Sequence, residues 1–393
     1  MVIAEELGLK SHEREWLALS LTPGLGHTRT RRLLQHFTGV QQIFRASLTE
    51  LEAAQLPASA AQSIAGGASF QLADAELKKV AAAPGVRVLG LDSPEYPEHL
   101  KQIYDPPLVL YVRGNAEVLS QPGIAMVGTR HPTPYGLGMA ERLACDLAAR
   151  GLIIFSGLAR GIDSASHRGA IKATGKTVAV LGTGVDVIYP RENRKLADSI
   201  LELGGAIISE FGLGTAPTPQ NFPIRNRIIS GLSYGVLVVE AGEYSGTRIT
   251  ARCALEQCRE VFAVPGNVTN RNSWGPNTLI KQGAKLVATW EDVFEELPTD
   301  LRVRLNPVEV GAQPVTGSLF AEAEAKTEDV AAPPTAQKKI FSMIKADESI
   351  HIDTLMEKLE PAVSSSEVFT ALFELEMSGR IRQLPGKCYV RVF

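Results

Sequence analysis

The chain has 393 residues, of which 45% are hydrophobic and 21% charged, with a formal net charge of -3. These are ordinary globular values that allow a large buried core and two or three domains, and the total charge alone points to no particular partner. No apolar run reaches the roughly 18 residues of a membrane span, and the acidic start "MVIAEELGLKSHERE" lacks an apolar signal core, so no membrane partner and a cytoplasmic location are expected.

Four segments follow one another. Residues 10–70 are Leu/Ala-rich with helical periodicity, and residues 1–80 are expected to form a helical domain. Its turn "PGLG", followed by Thr28, can present backbone N–H groups to a phosphate or simply join two helices. Residues 10–45 hold six Lys+Arg and two acids. Residues 81–298 open with turns and the short strand-like runs "VRVLGL" and "PPLVLYVRG". The runs "GIAMVG", "LIIFSG", "TVAVLG", "AIISE", "GVLVVEA", "VFAVPG" and "KLVAT" then recur about every 25–30 residues, with amphipathic stretches between them. Continuous apolar strands alternating with helices predict a parallel sheet covered on both faces. Residues 299–337 read as a flexible acidic linker rich in Ala, Pro, Glu and Thr. Residues 338–393 read as a helix-turn-helix with a wing: "IHIDTLMEKL", then "SSSEVFTALFELEMSGRI" capped by Ser364–Ser366 with Glu367, then the hairpin "RQLPGKCYVRVF".

Charge is distributed unevenly. Residues 120–290 hold 18 Lys+Arg against 12 Asp+Glu, residues 291–337 hold 3 against 10, and residues 338–393 hold 8 of each. A basic middle and an acidic connector are hidden in the near-neutral total. The cysteines form no framework; Cys253 and Cys258 read as small buried residues.

In parallel sheets ligands bind beyond the carboxyl ends of the strands. After the successive runs come Gly128-Thr129-Arg130, "SGLARGIDSASHRGA", "GTGVDVIYPRENRKL", "NFPIRNRIISGLSYG" and "EAGEYSGTRITA". Small residues let backbone N–H groups approach an anion, and helix starts add partial positive charge. Pro223 suits the first helical position, which puts Arg225 and Arg227 near a helix start. Cations there are unfavourable unless an anion or a neighbouring acid compensates. No P-loop is present, and Gly182-Thr-Gly184 and Gly212-Leu-Gly214 lack the third glycine of the dinucleotide fingerprint. No Cys/His cluster has metal spacing, and no cofactor or metal is expected. Gly231-Leu-Ser233-Tyr-Gly235 matches a nucleophile elbow in form. Its serine precedes the strand instead of following it, so a hydrolase role is not expected. Asp163 and His167 share a helix face and read as a stabilising or orienting pair.

Taken in order, "SGLARGIDSASHRGA", "GTGVDVIYPRENRKL", "SEFGLGTAPTPQNFPIRNRIISGLS", "VEAGEYSGTRITARCALEQCREVFAVPG" and "GPNTLIKQGAKLV" closely resemble the DNA-processing protein A (DprA, also called Smf) family. "LTPGLGHTRTRRLLQHF" resembles the helix-hairpin-helix of that family's sterile-alpha-motif-like (SAM-like) domain, and the tail resembles its winged helix. The resemblance implies an α/β chain: an extended Rossmann-like, mostly parallel sheet core between an N-terminal helical domain and a C-terminal winged helix. It implies non-catalytic binding of single-stranded DNA, protection of incoming DNA, and RecA loading during natural transformation. It also implies a homodimer, with single-strand-binding protein as a further partner. It carries Arg130 and Lys195 to DNA-contacting basic positions, and Phe222, Arg225, Asn226 and Arg227 to the same pocket. Ser156, Gly157, Arg160 and Gly161 match a phosphate-facing loop, and Ser245, Gly246 and Thr247 complete the expected DNA-binding set. Phe222 is the one aromatic seen inside the Arg cluster; it either stacks a base or packs under its helix. The rival reading is a nucleoside-monophosphate N-glycoside hydrolase. Gly246-Thr247 survive from that motif, but its Pro-Gly-Gly and its acid at the right spacing do not.

Overall fold

The computed structural model describes residues 12–305, 335–345, 349–359, 365–378 and 380–391. They fall into two compact units, one holding residues up to His131 and Ala140–Leu305, the other holding Pro132–Met139 and the C-terminal segment.

The first unit is built on nine strands: β1 (Val86–Gly90), β2 (Val109–Gly114), β3 (Gly123–Val127), β4 (Ile153–Ser156), β5 (Thr177–Val180), β6 (Ala206–Ser209), β7 (Gly235–Val238), β8 (Glu260–Ala263) and β9 (Lys285–Leu286). Every apolar run singled out in the sequence contributes one of them. The order across the sheet is β1-β2-β6-β5-β4-β3-β7-β8-β9. From β6 to β9 the pairs are parallel, while β1/β2 and β2/β6 are antiparallel.

Side-chain alternation along a strand decides which face each residue serves. Val178, Val180, Ile208, Leu110 and Val112 enter one core with Ile228, Ile229 and Ala251, whereas Ala179, Leu181, Ile207, Val109 and Tyr111 enter the other. That second core also holds Trp16, Leu17, Leu33, Ile43, Leu77 and Val80 from the N-terminal helices. The helical segment thus forms a layer of the sheet. Gly90 marks the close approach, since a Cβ there would lie 2.6 Å from the Trp16 ring. Arg14 bonds Asp74 through Nε to Oδ1 (2.6 Å) and Nη2 to Oδ2 (2.7 Å), tying the first helix (Glu13–Ser20) to the last (Ala68–Ala82).

Chain order runs outward from β3 through β4, β5 and β6, then returns to place β7 on the other side of β3. The direction of winding therefore reverses beside β3, and crevices form at such a reversal outside the carboxyl ends of the strands.

The C-terminal unit contains helices Thr335–Met343, Ile352–Leu359 and Ser365–Met377 and a three-stranded sheet β10-β12-β11, with β10 Ile350–His351, β11 Ile381–Leu384 and β12 Cys388–Arg391. Ile340, Leu355, Val368, Leu372, Leu375 and Tyr389 form its core. The expected serine cap includes Ser364, which lies outside the described residues, as does most of the expected linker. The first residues of that linker are ordered differently from the expectation: Thr299–Arg304 is a helix with Leu301 buried.

The cysteine reading needs correction. The helix Thr247–Glu256 ends before Cys258, which has a φ of 55° and is exposed. Cys145, Cys253 and Cys388 are half-buried, and all four are free thiols. Among the described residues no helix is long and apolar enough to cross a membrane, and no group of three His, Cys, Asp or Glu is placed to hold a metal.

Candidate nucleic-acid interface

A cavity of about 1130 Å³ opens at the carboxyl ends of β3 to β8. Its walls come from every crossover after those strands. They include Gly128-Thr129-Arg130, Asp163, Tyr189, Phe222, Arg225, Asn226, Tyr244-Ser245-Gly246-Thr247, Arg271 and Trp274. The volume lies at the upper end of the roughly 300–1,000 Å³ usual for small-molecule sites.

The turn after β3 is braced on both sides. Thr129 N donates to the Glu240 carbonyl (2.7 Å), and Ile162 N donates to the Thr129 carbonyl (3.2 Å). Gly128 is required by packing, because a Cβ would sit 2.5 Å from Ile162. Arg130 is exposed at the mouth, with its guanidinium 5.7 Å from the Phe222 ring centroid.

The loop after β4 is held from inside. Ser156 is fully buried and donates its hydroxyl to the Met126 carbonyl (2.6 Å). Gly157 N and Ala159 N both donate to Asp163 Oδ2, at 3.1 and 3.4 Å. Burial raises the Asp163 carboxyl above its usual range, against the opposing pull of Arg225 and those two N–H groups. Gly161 stands at the start of the helix Ile162–Lys172 with a φ of 75°, a conformation that favours glycine. Arg160 faces outward and pairs with Glu192 through Nε to Oε1 (2.6 Å) and Nη2 to Oε2 (2.8 Å). Asp163 and His167 share this helix as expected, but each has its own partners; His167 Nδ1 lies 2.7 Å from Thr177 Oγ1.

The helix Asn221–Leu232 begins two residues before the expected start, so Pro223 is its third residue and the arginines lie beyond the first turn. Arg225 is 5% exposed and lines the cavity. Its Nη1 donates to the Val180 carbonyl, and its Nε has no hydrogen-bond partner among the described residues. Burial lowers its pKa to about 10; Asp163 opposes that shift and Arg130 adds to it. Arg227 points elsewhere. It pairs with Glu210 and Asp105 and does not line the cavity. The neighbouring-acid alternative is therefore the one realised for Arg227, which corrects its placement in the pocket. Lys195 is exposed near the start of the helix Arg194–Glu202, also outside the cavity wall.

Phe222 packs against its neighbours and also faces the cavity. Its ring packs 3.0 Å from where a Cβ on Gly182 would lie, and it also lines the cavity, 5.7 Å from the Tyr189 ring. Thr247 starts the helix Thr247–Glu256, and Ser245 Oγ donates to Thr247 Oγ1 (2.9 Å). Ser233 is fully buried past the end of its helix, donates to the Ser230 carbonyl (3.0 Å), and precedes β7. The elbow match is thus a coincidence of sequence.

The sequence reading missed three rings. Tyr189 (41% exposed), Tyr244 (93%) and Trp274 (38%) join Phe222 in the wall, along with Arg271. Each lies in the crossover that follows an apolar run, so their position beyond strand ends was the available signal.

Residues 87–298 match the family model for DNA recombination-mediator protein A, and residues 324–387 match that for the DprA winged helix domain. The chain is 44% identical to Protein Smf of Escherichia coli K12 over 79% of this chain and 78% of that protein. It is 32% identical to Protein Smf of Synechocystis over 97% and 99%. The crystal structure of DNA processing protein A from Streptococcus pneumoniae superposes with a TM-score of 0.64 at 36% identity, covering 74% of this chain and 99% of that one. With a matched core, a matched tail and full-length relatives, the chain belongs to the DprA/Smf family of DNA recombination-mediator proteins.

Proposed function

We propose that this protein binds single-stranded DNA in the strand-end cavity without catalysing a reaction. The carrying observation is the wall itself: four aromatic rings (Tyr189, Phe222, Tyr244, Trp274) stand among the cations Arg130, Arg225 and Arg271 in one large open cavity. Single strands are held by cations that follow the backbone and by rings on which bases stack. A duplex keeps its bases stacked inside and cannot use those rings. Lys195, outside the cavity wall, is proposed to take phosphates further along the strand. Ser156, Gly157 and Gly161 are proposed to shape the site by supporting Arg225 and Asp163. Arg160, Asn226, Ser245, Gly246 and Thr247 complete its polar margin.

Family membership supports a role in DNA processing. The proposal extends to protection of incoming DNA and RecA loading in natural transformation, as a cytoplasmic homodimer that also meets single-strand-binding protein. The hydrolase alternative gains nothing from the geometry. Glu240 is 1% exposed and does not line the cavity, and Glu243, which does, precedes Gly246-Thr247, where the motif needs its acid after them.

The test is binding of oligo-dT and a matched duplex across salt. The wild type is compared with an Arg130→Ala/Lys195→Ala/Arg271→Ala variant that removes three exposed cations. Each phosphate contact contributes about -0.7 to the log–log slope on single strands, so the variant's slope should be shallower by about 2. Equal affinity and equal slope would sink the reading. Release of free base from a nucleoside monophosphate, abolished by Glu240→Gln, would sink the non-catalytic part alone.

A further inference from the structure

Tyr104 is 72% exposed, and the Arg31 guanidinium lies 4.2 Å from its ring centroid. The two come from distant parts of the chain: Arg31 from the helix His27–His36, Tyr104 from the loop between the helix Glu98–Lys101 and β2. The helix His27–His36 carries Arg29, Arg31 and Arg32, all exposed, and no acid. Arg29 is occupied, donating from Nη1 to the Gly24 carbonyl (2.8 Å) and closing the turn between helices. Arg31 and Arg32 have no ion-pair partner among the described residues. A ring this exposed adds little to the core, and Arg31, which lies over it, and Arg32 on the same helix are left without a counter-charge among the described residues.

The patch is also tied to the cavity. Asp105, the residue after Tyr104, receives Arg227 Nε on its carbonyl (3.1 Å) and its Oδ2 (3.0 Å). Arg227 sits on the helix that carries Phe222 and Asn226 into the cavity wall. One covalent step and one ion pair therefore separate the exposed ring from the helix of the main site.

We propose that Tyr104, Arg31 and Arg32 form a second contact for the same DNA strand, taking nucleotides that emerge from the cavity. The open part of the ring stacks a base, while Arg31 holds the ring in place and, with Arg32, faces phosphates. An arginine over an aromatic ring is one of the combinations by which single strands are gripped without sequence preference. This inference rests on the reading of the cavity as a single-strand site.

The test uses the full chain and oligo-dT of about 5 and about 20 nucleotides, spanning the site sizes of compact single-strand modules. Tyr104→Ala and Arg31→Ala/Arg32→Ala should bind the short oligomer like the wild type. On the long oligomer each should lose about tenfold, near the low end of what one stacked base contributes. The double arginine variant should also flatten the salt slope by about 1.4, on the long oligomer only. Tyr104→Phe, which keeps the ring, should match the wild type throughout. Wild-type binding of the long oligomer by the Ala variants overturns the proposal and leaves the patch to a protein partner. Equal loss at both lengths also overturns it, because the effect would then lie in the tether to Arg227. A wild type that binds neither length removes the cavity reading first, and this one with it.

Discussion

Arg227 and Glu210 form a bidentate ion pair, Nη1 to Oε1 at 2.6 Å and Nη2 to Oε2 at 2.7 Å, with side chains only 7% and 10% exposed. Burial alone would lower the Arg227 pKa, yet it is raised, because the hydrogen bonds and charge of Glu210 outweigh desolvation, with Asp105 adding to them. Glu210→Gln leaves that guanidinium without its main counter-charge. Removing one partner of a buried pair costs about 3–5 kcal/mol, and the remaining Asp105 contact favours the lower end. The urea midpoint should fall, while oligo-dT affinity of the folded protein changes by less than about tenfold. Unchanged stability with collapsed affinity would return Arg227 to the DNA site.

Gly157 is a lever on Arg225. A Cβ at Gly157 would overlap the Arg225 guanidinium, which is buried and held by the Val180 carbonyl. Gly157→Ala must push that group out of place. Overpacking of this kind costs about 1–3 kcal/mol. The expected result is a lower thermal midpoint together with weaker oligo-dT binding. Normal binding in this variant would show that the position of Arg225 is immaterial to the ligand.

His167 makes stability depend on pH. Thr177 Oγ1 donates to the Ile154 carbonyl (2.5 Å), so His167 Nδ1 must be the donor to Thr177, and the buried Nε2 has no partner among the described residues. Burial lowers the His167 pKa to about 3, with Arg225 and Arg168 adding to the effect. Between about 6.5 and 3 the unfolded chain binds a proton that the folded one does not, so stability falls as pH falls, by about 1.4 kcal/mol per unit. The contribution is fully present above pH 6.5. Urea unfolding at pH 7.5 and pH 5 should show a steeper loss in the wild type than in His167→Gln. Parallel losses in the two proteins would rule out His167 as the source.

Phe222 and its neighbours should act as a stacking surface. Phe222→Ala should weaken oligo-dT binding by about 1–3 kcal/mol and leave duplex binding little changed, as read by fluorescence anisotropy. Phe222→Trp should retain the affinity. Tyr189→Ala, which removes the ring 5.7 Å away, should produce a smaller loss of the same kind. Equal losses on single strand and duplex would mean that the rings support the fold only.

Much of the architecture was legible because it depends on near neighbours in the chain. Period-2 and continuous apolar runs marked all seven strands from β3 to β9, and the alternation with helices implied which edge carries the loops. Gly128 and Gly161 were found at the right turns, and Ser233 was correctly set aside from its orientation alone. The errors concern boundaries and side-chain partners. Pro223 looked like the first residue of a helix that in fact starts at Asn221, because proline is tolerated throughout the first turn. Cys258 looked buried, but it lies past the end of the preceding helix and is exposed.

What the amino-acid order determined by itself was the sheet, its helices, the strand-end edge where the cavity opens and the family, since local periodicity and motif spacing need no distant partner. What only the tertiary structure decided was which cations stay available and which rings meet. Arg225 and Arg227 stand two residues apart, yet one lines the cavity and the other is consumed by Glu210 and Asp105. Tyr189, Phe222, Tyr244 and Trp274 come from the four separate crossovers after β5, β6, β7 and β8 and converge only when the strands align. Ion pairing and ring convergence depend on contacts between residues far apart in the chain, and those are set by packing of the whole sheet.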